Sequence, residues 1–126
     1  MTATPIRILV ADDNAFYRKT ICGIIHNETS LQVVAEAGCG LAAIQAVKEH
    51  RPDVVLMDIN MPVPDGLDAT RIITTMFPET KVIVLTMHTD ECFSDRAYKA
   101  GARHFLGKDC GKEKLLSAIK HCSLGQ

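Results

Sequence analysis

Short aliphatic runs alternate along the chain with longer stretches in which apolar residues recur every three or four positions. Ile6 to Ala11 reads as a first strand, and Phe16, Tyr17, Ile21, Ile24 and Ile25 then share one helical face. Leu31 to Ala37 is a second strand. Leu41, Ile44 and Val47 mark a short amphipathic helix ended by His50, Arg51 and Pro52. Asp53 to Asp58 is an apolar strand with acidic ends, and Leu67, Ile72, Ile73 and Met76 predict a third helix stopped before Pro78. Lys81 to Thr86 is a fourth strand. Thr89 is placed to cap the next helix, with Asp90 and Glu91 in its first turn, where negative charge suits the dipole. Gly101, suited to left-handed backbone, ends that helix. His104 to Gly107 is a fifth strand, and Leu115, Leu116, Ile119 and Cys122 form the apolar face of a last helix. Strands as continuously apolar as VVLM and VIVL suit a parallel sheet covered on both faces. With right-handed crossovers the pattern predicts an open, doubly wound α/β fold, one (βα)5 domain over residues 1–126.

Composition narrows the partners. The 126 residues are 47% hydrophobic and 23% charged, which suits a folded domain and not a disordered chain. The 14 Lys and Arg nearly cancel the 15 Asp and Glu, so this domain is not expected to bind nucleic acid directly. No apolar run exceeds four residues, far short of the roughly 20 needed to cross a bilayer. The N-terminus has no signal-peptide pattern, so a cytoplasmic protein without membrane contact is expected. Five scattered cysteines form no C-x-x-C pair and read as small, mostly buried residues. His26, His50, His104 and His121 read as surface residues, and His88 and Cys92 as an i, i+4 pair too small for a zinc site.

The chemistry is expected where the strands end, because ligands of open α/β sheets bind outside the carboxyl ends of the strands. The first strand delivers Asp12 and Asp13, the third Asp58, the fourth Thr86 and the fifth Lys108. Two unit charges about 4 Å apart repel by about 4 kcal/mol at an effective dielectric of about 20, so three carboxylates together need relief. With oxygen donors and no His or Cys nearby, a hard divalent cation fits: Mg2+, with Mn2+ as a substitute. A cation, a lysine and a threonine around one carboxylate make a set for phosphoryl transfer. Asp58 would be the in-line nucleophile, Lys108 would neutralise charge and Thr86 would donate a hydrogen bond.

The acidic pair in ILVADD, Asp58 in VVLMDINMP, the Asp65-Gly66 turn, Thr86 in VIVLT, and Phe105 and Lys108 in GARHFLGKD resemble a bacterial two-component response-regulator receiver domain, the CheY-like superfamily. The resemblance runs from Ile6 to Cys122, and the C-terminal stretch is similar to the receivers of LuxR/NarL-type regulators. It implies the flavodoxin-like strand order 2-1-3-4-5. It implies that Asp58 accepts a phosphoryl group from a sensor histidine kinase, and that Asp12, Asp13, Asp58 and the backbone carbonyl of Asn60 hold Mg2+. Thr86 and Phe105 would be the switch pair. The face built by the fourth helix, fifth strand and fifth helix would then bind a partner, a second receiver or an output domain that controls transcription. On this reading the domain assists its own phosphotransfer and dephosphorylation but is no turnover enzyme.

Departures from the family pattern carry expectations of their own. Met87 stands where a small residue is usual and should narrow the site's mouth; Met87 and His88 are the candidates for controlling access. Pro64 should hold Val63 extended and stiffen that loop. Asp109 replaces a proline after the lysine, which excludes a cis-proline there. The alternatives are a small phosphatase with an aspartate nucleophile, for which Asn60 is the wrong residue because it is no acid, and a pseudo-receiver that binds without chemistry. A flavodoxin-like cofactor site is a further option, and the DDNAF segment lacks the glycine-rich loop it needs.

Overall fold

In the computed structural model, which describes residues 4–62 and 64–124, the apolar runs form strands and the periodic stretches form helices. The elements are β1 (Ile6–Ala11), α1 (Ala15–His26), β2 (Leu31–Ala37), α2 (Gly40–His50), β3 (Val54–Met57), α3 (Gly66–Met76), β4 (Lys81–Thr86), α4 (Glu91–Lys99), β5 (His104–Gly107) and α5 (Lys112–Ser123). The sheet is parallel throughout, in the order β2-β1-β3-β4-β5. The chain therefore reverses its winding between β1 and β3, and a crevice opens at the carboxyl ends of those two strands.

The two-residue period of the strands splits the core into two layers. Leu9, Val55, Met57, Val82 and Val84 face Ala43 and Val47 of α2, Leu67 and Ile73 of α3, and Ala97 of α4. Ile8, Val10, Val54, Leu56, Ile83 and Leu85 face Ile21 and Ile25 of α1 and Leu115 and Ile119 of α5. Both faces of the sheet are thus dry, which is why its central strands alternate two kinds of neighbour and not apolar with polar.

Several expected positions differ. Phe16 is 83% exposed, because nine residues at about 100° each put it on the side of α1 opposite Ile25; Cys22 takes the inward place. Leu41 and Met76 also face solvent, in the first turn of α2 and the last of α3. α4 begins one residue later than a Thr89 cap requires. Asp90 is its N-cap, without a side-chain hydrogen bond. His88 therefore precedes the helix, and the expected His88–Cys92 helical pair does not form; the His88 ring instead lies 5.7 Å from that of Phe93. Gly101 ends α4 as expected, with φ of 108°. Val63, where Pro64 is expected to stiffen the loop, lies outside the described residues. Among the described residues no helix is long and apolar enough to cross a membrane.

Candidate functional site

Backbone hydrogen bonds carry the ladders one residue past the strands and so fix the acidic side chains. Asp12 N–H donates to the Ala37 carbonyl (2.9 Å) and Asp58 N–H to the Ala11 carbonyl (3.0 Å). Lys108 N–H donates to the Thr86 carbonyl (2.8 Å), which aligns the ends of β4 and β5. Asp12, Asp58 and Thr86 are buried, whereas Asp13 is exposed at the rim.

The predicted constellation comes together. Lys108 Nζ lies 2.7 Å from Asp12 Oδ2 and 3.5 Å from Asp58 Oδ2. One carboxylate oxygen from each of Asp12, Asp13 and Asp58 falls within 4.8 Å of the others. Three carboxylates against the single Lys108 ammonium leave a formal excess of negative charge in the crevice. Burial first, then the Asp12 charge, pushes the Asp58 carboxyl above its usual range. Lys108 and the Asn60 N–H, which donates to Asp58 Oδ1 at 3.3 Å, pull it back, and Asp13 adds a smaller upward push. An all-oxygen set with uncompensated charge fits a hard cation. Mg2+ bonds at 2.0–2.1 Å span oxygens up to about 4.2 Å apart, so these carboxylates fit it after a small contraction or with water in the shell. Asn60, two residues after Asp58, is exposed.

The remaining predicted residues lie on β4, on β5 and on the loop that leaves β4. Thr86 Oγ1 accepts a hydrogen bond from His88 N–H at 3.1 Å, which leaves its own proton free to donate elsewhere. Phe105 is half-buried on β5 against the α2–α4 layer of the core. Met87 is 72% exposed and His88 is exposed, both on the loop leaving β4. Asp109, next to Lys108, has a carboxylate oxygen that a Cβ on Gly107 would meet at 2.7 Å; the same Cβ would meet Thr89 at 2.9 Å. A glycine at 107 lets the loop after β4 close on the strand that carries Lys108.

Three contributions to the site go beyond the reading of the sequence: the cap made by Asn14, the close packing of Gly66 and the ring contact of Tyr17. Asn14 is the N-cap of α1: its side chain accepts from Tyr17 N–H at 3.0 Å, and its own N–H donates to Asp12 Oδ1 at 2.9 Å. The rule for N-cap residues could have found it. Gly66 packs against the Asp58 backbone so closely that a Cβ would meet the Asp58 carbonyl oxygen at 1.9 Å. Tyr17, assigned to the core, places its ring 4.3 Å from Lys108 Nζ. No sequence rule joins those two residues, since the contact crosses from α1 to the end of β5.

Comparison with known proteins agrees with this geometry. The sequence pattern of the family described as "Response regulator receiver domain" matches residues 8–120. The transcriptional regulatory protein DegU of Brevibacillus brevis is 37% identical over 120 residues, covering 95% of this chain and 51% of DegU. The chain spans about half the length of the curated relatives it matches. Among solved structures, the signal receiver domain of the response regulator NarL from Mycobacterium tuberculosis superposes with a TM-score of 0.94 at 30% identity, covering 98% of this chain and all of that one. CheY of Borrelia burgdorferi, solved in complex with CheX, BeF3 and Mg2+, superposes at 0.87 with 26% identity, covering 94% of this chain and 89% of that one. A parallel sheet in the order 2-1-3-4-5, an acidic crevice at its switch point and a sequence pattern covering most of the residues lead to one assignment: the chain belongs to the response regulator receiver domain family.

Proposed function

We propose that this domain is a phosphorylation switch in which Asp58 accepts a phosphoryl group from a sensor histidine kinase. The observation that carries the reading is the shared ammonium: Lys108 Nζ touches both Asp12 and Asp58 in a crevice with excess negative charge. An oxygen of Asp58 attacks phosphorus, the bond from phosphorus to the donor breaks, and the donor leaves with that electron pair. An acyl phosphate results. Lys108 neutralises charge on the transferring group, and the free proton of the Thr86 hydroxyl donates to one of its oxygens. Asp12, Asp13, Asp58 and the Asn60 carbonyl would hold Mg2+, whose chemistry is to offset the charge of the phosphoryl oxygens and of the carboxylates. Mn2+, with the same preference for oxygen, would substitute. That the similar Borrelia CheY was solved together with BeF3 and Mg2+ supports this reading.

Phosphorylation adds charge and acceptor oxygens at one rim of the sheet. Movement of Thr86 toward them would free the space into which Phe105 turns, biasing the face made by α4, β5 and α5. That face is the proposed contact for a second receiver or for an output domain. The name of the relative DegU supports control of transcription as the output. The domain promotes its own phosphorylation and dephosphorylation and turns over no separate substrate. Met87 and His88 stand at the loop over the crevice and would limit access to it; Met87→Ala is expected to admit a small donor faster.

Incubation with acetyl phosphate and Mg2+, read by intact mass, tests the reading. A gain of about 80 Da in the wild type, absent in Asp58→Asn, is expected. No gain from any donor, a histidine kinase included, would leave only a binding module.

A further inference from the structure

Among the described residues the ammonium of Lys108 lies against two carboxylates, Asp12 and Asp58, whose pull on it changes during the proposed reaction. Asp58 loses its formal charge when its oxygen becomes part of an acyl phosphate, and a cation at the crevice competes with Lys108 for Asp12. The third neighbour is the face of the Tyr17 ring, 4.3 Å from Nζ at the ring centre. A ring face attracts a cation through its quadrupole, and that attraction is indifferent to the state of the carboxylates.

We propose that Tyr17 is a positioning residue for Lys108: its ring face holds the ammonium beside Asp58 while Asp58 loses its charge and a cation competes for Asp12. This rests on the reading of Asp58 as the phosphoacceptor. The ring is set by the same turn that sets the acids. Asp12 Oδ1 accepts from Asn14 N–H, and Asn14 Oδ1 accepts from Tyr17 N–H, so the first turn of α1 is tied to the carboxylate that Lys108 touches. The Lys108 side chain is 9% exposed. Together with Ile21, Leu85, Cys110 and Leu115, the two residues line a hollow of about 170 Å³ between α1 and α5, so the ring packs on apolar walls while its face meets the cation. Burial and the neighbouring Asp12 charge keep the phenol neutral, and the ring adds no charge to the crevice.

The ring alone is required, so Tyr17→Phe should behave as the wild type and Tyr17→Leu should not. Two measurements decide. The first is the proton shift of the Lys108 ε-methylene in the metal-free, unphosphorylated protein. A ring-current displacement in wild type and Tyr17→Phe, lost in Tyr17→Leu, is expected. The second is the rate of phosphorylation by acetyl phosphate with Mg2+, followed by intact mass. Tyr17→Phe should stay within about twofold of wild type, and Tyr17→Leu should slow about fivefold, the size of one partly desolvated cation–π contact. Tyr17→Met, which fills the apolar space without a ring face, replaces Tyr17→Leu if the latter does not fold, and should show the same slowing. Equal rates in wild type and in the ringless variant would overturn the role of Tyr17. So would an undisplaced ε-methylene in the wild type. A wild type that takes no phosphoryl group at all would instead overturn the reading of Asp58, and the shift measurement would still decide whether the ring holds Lys108.

Discussion

Asp58 is held in a state the fold does not favour. Burial and the adjacent Asp12 push its carboxyl pKa up, against the pull of Lys108. An acid with a raised pKa binds a proton more readily in the folded protein than in the unfolded chain. Its contribution to stability is therefore fully present below the ordinary carboxyl pKa and is lost as pH rises through the raised value. Asn at this position removes the charge and keeps an oxygen for the Asn60 N–H. In metal-free protein, Asp58→Asn should melt above the wild type at neutral pH, and the gap should close as the pH falls toward about 4. Thermal denaturation in a chelator across that range checks this; a variant that melts below the wild type at neutral pH would contradict it.

At the scale of elements, the site is built by strand ends and by the turns that leave them. The segment after β3 must fold back so that Gly66 N–H donates to the Ile59 carbonyl at 2.9 Å, and Asp65 then caps α3 through Asp68 N–H. A Cβ on Gly66 would overlap the backbone of Asp58 and Ile59. Gly66→Ala should cost about 3 kcal/mol of stability, read by urea unfolding, because backbone cannot yield as a flexible side chain can. A cost below about 0.5 kcal/mol would mean that the turn is free to move. The strand ends were legible from the sequence because each apolar run stops at a polar residue: Ala11 before Asp12, Met57 before Asp58, Thr86 itself, Gly107 before Lys108. Helix faces were read less well. An aromatic in a first turn, such as Phe16, satisfies a spacing of three or four with some neighbours while pointing away from the sheet. The Tyr17–Lys108 contact was illegible for a different reason: it joins residues far apart in sequence, and only the docking of α1 beside the end of β5 brings them together.

The whole molecule is one sheet with a layer of helices packed on each face. Asp12 and Asp58 directly follow β1 and β3 in the middle of the sheet, and their relief by a cation should stabilise the domain as a unit. A ligand that binds only the folded state adds about 2.7 kcal/mol when present at a hundred times its dissociation constant. Mg2+ should therefore raise the melting temperature of the wild type reversibly, with EDTA restoring the original value. The double variant Asp12→Asn, Asp13→Asn should show little of that rise, and an equal rise in both proteins would place the cation elsewhere. The lopsided arrangement of the sheet also bears on signalling. β5 is an edge strand beside Thr86 of β4, whereas β2 closes the opposite edge beyond β1. Thr86 therefore stands beside the β5 edge of the sheet and away from the β2 edge.

The central claim concerns one oxygen of one side chain, and borohydride trapping reads it directly. The reagent reduces an aspartyl phosphate to homoserine, and peptide mapping then locates the converted residue. After treatment with acetyl phosphate and Mg2+, the account predicts homoserine at position 58 and aspartate retained at positions 12 and 13. Conversion at Asp12 or Asp13, or a phosphorylated protein in which position 58 remains aspartate, would contradict it.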